Sequence, residues 1–237
     1  GSSPTAGTNY NNFTDAANDL NNLGVNGPVV FDVATGVYTE AVELEDITGT
    51  SATNTITFQS ATGIPANVTL QSGSFADVLT IHNSDYITFR DMTIDYTGSS
   101  IYSAVELQDD ADHITFDNCT LNGSSNTSSG SFSYAVLFSD ESSLLTNFIT
   151  VENCTFINGN RGVYAQGGSF NGDYTGWNIS NNTFQDQSYG GILLQYVDAP
   201  EISNNTFAVN ASVNGSYIGI EVADCPHGVQ ITDNELP

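Results

Sequence analysis

Apolar and polar residues alternate with period two in short bursts along this chain, and one eight-residue burst returns six times. It reads ITFRDMTI at 87–94, ITFDNCTL at 114–121 and ITVENCTF at 149–156. It returns as WNISNNTF at 177–184, PEISNNTF at 200–207 and VQITDNEL at 229–236, at spacings of 27, 35, 28, 23 and 29 residues. In ITFDNCTL, Ile114 and Phe116 alternate with Thr115 and Asp117, the signature of a half-buried strand. Asn118 breaks the alternation, and Cys119 and Leu121 resume it around Thr120. Each phrase therefore predicts a strand, a corner and a second strand. A constant phrase at variable spacing predicts a constant structural unit joined by loops of variable length.

A further strand sits between phrases, as SAVELQD (103–109), YAVLFSD (134–140), RGVYAQG (161–167), GGILLQYVD (190–198) and IGIEVAD (218–224). Upstream, VVFDV (29–33), TITFQS (55–60), VTLQS (68–72) and VLTIHNS (78–84) continue the pattern less regularly. Repeats of this length cannot bury an apolar face alone but can do so by stacking, which predicts an all-β solenoid of roughly eight rungs, a parallel β-helix ~40 Å long. The corner column reads Asp91, Asn118, Asn153, Asn181, Asn204 and Asp233. Asn and Asp tolerate left-handed backbone, and their stacked side chains can bond one another up a ladder.

Between Asn12 and Leu23 the period changes. Phe13, Ala17, Leu20 and Leu23 fall at helical spacing and Gly24 supplies a stop, predicting a short amphipathic helix over the first rung. The expected organisation is one domain over 1–237, with a cap region at 1–27 and rungs over 28–237. No comparable cap follows the sixth phrase. An open last rung would expose apolar core and unpaired strand edge, so self-association or continuation of the chain is expected at that end.

The phrase I-T-x-x-N-x-T-F with its asparagine corner resembles the pectate-lyase-like right-handed β-helix superfamily. The stretch 13–44, a helix followed by a strand and a G-x-Y-x-E turn, is similar to the opening of secreted members, including β-helix modules of large secreted bacterial surface proteins. The resemblance implies a right-handed coil. It implies no single activity, because the superfamily includes lyases, hydrolases, esterases, adhesins and structural pieces.

Charge narrows the partners. Twenty-seven acidic residues face two basic ones, Arg90 and Arg161, with no lysine, for a net charge of −25. Such a surface repels nucleic acid and anionic lipid and attracts cations. No apolar run approaches the ~20 residues of a membrane-spanning helix. The composition suggests an extracellular or cell-surface protein, of bacterial type. The resemblance implies basic residues and calcium in lyases of this fold, yet the two arginines have no basic companion, and a polyuronate would be repelled. Of the polygalacturonase-like motifs only a D-D, Asp109-Asp110, is present, and pectin-methylesterase motifs are missing. Glu106 with Glu221, and Asp117 with Glu152, share strand positions and are candidate carboxylate pairs. The histidines, His82, His113 and His227, stand in turns without a nucleophile motif.

Asp85, Asp109, Asp110, Asp112, Asp140, Glu141, Asp198 and Asp224 follow the interphrase strands, and stacking could align several along one edge. Calcium is the candidate ion for such oxygen ligands, although no D-x-D-x-D-G loop is present, and no cofactor is required. The alternative is a solvated edge. Cys119 and Cys154 share one inward column, predicting stacked buried thiols rather than a disulfide, whereas Cys225 lies in a turn. Sequons at Asn67, Asn122, Asn126, Asn210 and Asn214 are candidate glycosylation sites. Tyr96, Tyr102, Tyr134, Tyr164, Tyr174, Tyr189, Tyr196 and Tyr217 are candidates either for stacking on sugars or for packing loop stems. Two functions follow: a structural or adhesive module, able to join end to end into a filament, or a β-helix that binds or cleaves polysaccharide in a groove formed by loops 122–134 and 167–176.

Overall fold

The computed structural model describes residues 9–125, 135–140, 146–168, 174–208 and 217–236. Three parallel sheets of eight, seven and seven strands wind into a solenoid. The first half of each phrase lies in sheet one, which runs from Val29–Val33 to Gln230–Thr232. The second half lies in sheet two, from Gly36–Thr39 to Thr206–Ala208. The interphrase strands form sheet three, from Val42–Glu45 to Ile218–Ala223. Among the described residues the last rung contributes a strand to sheet one only, so the count of complete turns falls slightly short of the eight expected. GVYT, expected within the G-x-Y-x-E turn, is a strand, as is VELE after it, because pairing with the next rung outweighs their short length.

Register converts the phrase into columns. Phe31, Phe58, Phe89 and Phe116 are successive partners in sheet one, with ring centroids 4.5, 5.3 and 5.5 Å apart. In sheet two Phe156, Phe184 and Phe207 stack at 4.7 and 4.9 Å. Offset parallel rings add attraction to the area they bury, so identical residues in one column stabilise neighbouring rungs together. Glycine makes room for them: a Cβ on Gly191 would lie 2.1 Å from Cε1 of Phe207, and one on Gly162 2.3 Å from Cδ1 of Phe184.

All six corner residues take positive φ, between 51° and 57°. An amide ladder entering the core, however, stands one residue further on, over Asn182, Asn205 and Asn234 of the column Met92, Cys119, Cys154, Asn182, Asn205 and Asn234. Asn205 Oδ1 accepts from the Asn182 backbone N–H (2.9 Å) and Nδ2 (3.0 Å). Its Nδ2 donates to Ile179 O and to Asn234 Oδ1, both at 2.9 Å. The corner side chains lie outside, where Asn118 bonds Asp91 Oδ1 (2.6 Å) and Asn153 bonds Asp117 Oδ1 (2.9 Å). The left-handed turn at the first residue swings the second inward, which period-two counting alone does not reveal. Cys154 Sγ takes the amide's place, accepting the Cys119 N–H at 3.4 Å. Both thiols are buried and free, and burial raises the Cys154 thiol well above its ordinary value.

The helix spans Phe13–Leu23 and buries Phe13, Ala16, Ala17 and Leu20. Leu23, expected on the covering face, is 41 % exposed at the helix end. Asn12 caps it through Asp15 N (2.7 Å), and Glu40, from the G-x-Y-x-E turn, accepts Phe13 N (3.1 Å) and Thr14 N (2.8 Å). A carboxylate there satisfies otherwise orphaned donors at the positive end of the helix dipole. Asn21 then bonds Glu43 O and Glu45 N, both at 3.0 Å, closing part of the edge of sheet three's first strand. Among the described residues no helix is long and apolar enough to cross a membrane.

Candidate binding trough and acidic edge

The residue just before each phrase returns the chain from sheet three to sheet one, and it too has positive φ at Tyr86, His113, Phe148, Gly176, Ala199 and Gly228. The first three side chains point outward and stack, with centroids 4.3 and 4.5 Å apart and planes 10° and 6° from parallel. At Gly176 the stack stops. A Cβ there would lie 2.6 Å from Phe148 Cδ1, so the ring leans over the glycine, and only the Ala199 methyl follows. Beside these residues runs the outward column Thr88, Thr115, Thr150, Asn178 and Glu201 of sheet one. Together they line a shallow open trough of about 520 Å³. Trp177 is buried beneath it and donates Nε1 to Thr146 O at 2.9 Å.

The acidic residues proposed for calcium lie on turns of the same solenoid but are held by different partners. Asp109 pairs with His82 Nε2 at 2.6 Å, Asp198 with His227 Nδ1 at 2.8 Å, and Asp224 accepts Gln195 Nε2 at 3.4 Å. Asp112 belongs to a vertical ladder. Asp85 Oδ1 accepts the Asp112 N–H (3.0 Å), Asp112 Oδ1 the Asn147 N–H (2.6 Å), and Asn147 Oδ1 the Thr175 N–H (2.9 Å). Desolvation is the main cause raising the carboxyls of both Asp85 and Asp112, and Asp110 close by adds repulsion. Asp140 ends a strand of sheet three, and Glu141 lies outside the described residues. Among the described residues no three His, Cys, Asp or Glu side chains converge to hold a metal ion.

The carboxylate pairs separate clearly. Glu106, Phe138, Tyr164, Leu193 and Glu221 are successive partners on the outward face of sheet three. Glu106 and Glu221 thus stand four strand spacings apart, roughly 19 Å, beyond the ~5–9.5 Å that paired glycosidase carboxyls require. Glu221 pairs with Arg161 at 3.6 Å, and between the two glutamates Tyr164 and Leu193 form a small outer apolar cluster with Ala135 and Phe138. Asp117 and Glu152 are direct partners, but Asp117 is held by Arg90 Nε (3.0 Å) and Asn153. Tyr96, Tyr164 and Tyr174 are buried, which places them in packing.

Of the sequons, Asn67 donates Nδ2 to Thr62 Oγ1 at 3.0 Å. The Asn122 amide is engaged on both sides, by Asp95 Oδ1 (2.6 Å) and Asn158 Nδ2 (2.8 Å). Asn126, Asn210 and Asn214 lie outside the described residues, as does most of the proposed groove of loops 122–134 and 167–176. The aromatic stack went unread in the sequence, although aligning the phrases and looking one residue upstream of each would have exposed it.

A family model described as the right-handed β-helix region matches residues 77–236, well over half of the chain. The chain belongs to the right-handed β-helix family. The coil expected from the resemblance to pectate-lyase-like proteins is the one this family names. No curated protein and no solved structure matches the chain. A right-handed β-helix is a scaffold for unrelated activities, so function must be argued from the trough and the edge rather than from membership.

Proposed function

We propose that this β-helix is an extracellular adhesive module that holds polysaccharide along the trough without cleaving it. The observation that carries this reading is the outward stack of Tyr86, His113 and Phe148 beside the column Thr88, Thr115 and Thr150. Aromatic edges and ordered hydroxyls on a rigid rod suit a chain of sugar rings, and a preorganised surface loses little entropy on binding. Glu106 and Glu221 stand too far apart on sheet three to act as a glycosidase pair. The test is affinity electrophoresis against a panel of neutral, cationic and anionic polysaccharides, with a reducing-end assay in parallel. Retardation without new reducing ends is expected. Turnover abolished by replacing a single carboxylate would overturn the reading.

A second reading is end-on association into a filament or a place within a longer surface protein; on the last described rung Ile231 is 48 % and Leu236 58 % exposed. Contact with a second copy would cover these side chains. Light scattering with and without calcium tests it, and a strict monomer at all concentrations would count against it.

A further inference from the structure

The ring ladder ends on a step. His113 covers one face of Phe148, while the other lies over Gly176, which has no side chain to continue the stack. Phe148 remains 46 % exposed. Past it the column drops to Ala199 and Gly228, while the neighbouring column changes from threonine to Asn178 and then to the exposed Glu201. A ring-shaped ligand seated at the step would become the fourth member of the stack. It would meet Phe148 on one side and the Asn178 amide and Glu201 carboxylate along its edge.

Charge selects among rings. On sheet one's outward face Arg90, three rungs away, is engaged by Asp117, and His227, whose carbonyl accepts the Ala199 N–H, is paired with Asp198. Asp85, Asp110 and Asp112 lie on the turns beside the stack, and the chain carries −25 overall. An anionic sugar would be repelled and a neutral one indifferent to this field. A protonated amine would gain from Glu201 and from the face of the aromatic ring. We propose that the step between Phe148 and Ala199 is a subsite for a sugar ring bearing a protonated amine, one unit of a hexosamine polymer. The proposal rests on the reading of the trough as a polysaccharide-binding surface and names the class of sugar it selects.

Calorimetric titration of the whole chain with a glucosamine tetrasaccharide, its fully N-acetylated form and a neutral glucose tetrasaccharide tests it. The glucosamine oligomer should bind about tenfold more tightly than the other two. Phe148→Ala should weaken it by about tenfold. Glu201→Gln should bring the charged and neutral oligomers within about threefold of each other. Tight binding untouched by Phe148→Ala would be adsorption to an acidic surface, and would overturn the subsite. Preference for the neutral oligomer, still dependent on Phe148, would overturn the amine while leaving the polysaccharide reading intact. Failure of every oligomer to bind would remove both.

Discussion

Asn204 and Asn205 are adjacent, identical and indistinguishable by composition, yet replacing each by alanine should have very different consequences. Asn205 is fully buried, and its amide makes four hydrogen bonds, two accepted from Asn182 and two donated to Ile179 O and Asn234 Oδ1. Some of these partners keep a second bond: Asn182 Nδ2 still reaches Val151 O, and Asn234 Oδ1 still accepts the residue 205 N–H. The Asn182 N–H and the Ile179 carbonyl lose what the amide gave them. At ~1–3 kcal/mol for each buried group left unsatisfied, Asn205→Ala should cost about 4 kcal/mol. Asn204 sits outside at φ 55°, so Asn204→Ala forfeits mainly the tolerance of asparagine for that geometry, about 1 kcal/mol. For a chain of this size these correspond to Tm decreases of about 12 °C and about 3 °C. Differential scanning calorimetry of the two variants at one pH and salt concentration measures both. Equal losses, or a larger loss for Asn204→Ala, would refute the assignment of the amide ladder to the inner column.

Two further outcomes follow from burial. Asp85 and Asp112 have folded values raised above 3.8, so in the window above 3.8 the folded chain binds more protons than the unfolded one. Their contribution to stability is fully present below 3.8 and is lost as pH rises through the raised values, so Tm should increase on acidification through those raised values toward 3.8. Asp112→Asn keeps an oxygen for the Asn147 N–H and should flatten part of that rise; an unchanged slope would contradict it. Gly191→Ala would drive a methyl to within 2.1 Å of the Phe207 ring, and overpacking of this kind should cost about 1–3 kcal/mol, read from the midpoint of urea unfolding.

How far the trough was legible shows in its members. His113 reads as an ordinary turn histidine by itself, and so it is, since its backbone sits at φ 56°. Its meaning comes from Tyr86 and Phe148, which lie 27 and 35 residues away and become neighbours because one turn of the coil returns the chain to the same corner. Among the described residues, Asp109, Asp112 and Asp198 are held by different partners for a related reason. They follow equivalent strands, but turns of different length aim Asp109 at His82, Asp112 at Asn147 and Asp198 at His227.

The sequence by itself determined the coil, the capping helix and the left-handed corners. Those depend on chain-local physics: a two-residue period that buries alternate side chains, helical spacing between Asn12 and Gly24, and the tolerance of Asn and Asp for positive φ. Only the tertiary structure decided which of two adjacent asparagines enters the core, and that three rings stack and then stop at a glycine. Each is a matter of register between rungs. Register is set by the packing of whole columns such as Phe31, Phe58, Phe89 and Phe116, and no short stretch of the chain contains it.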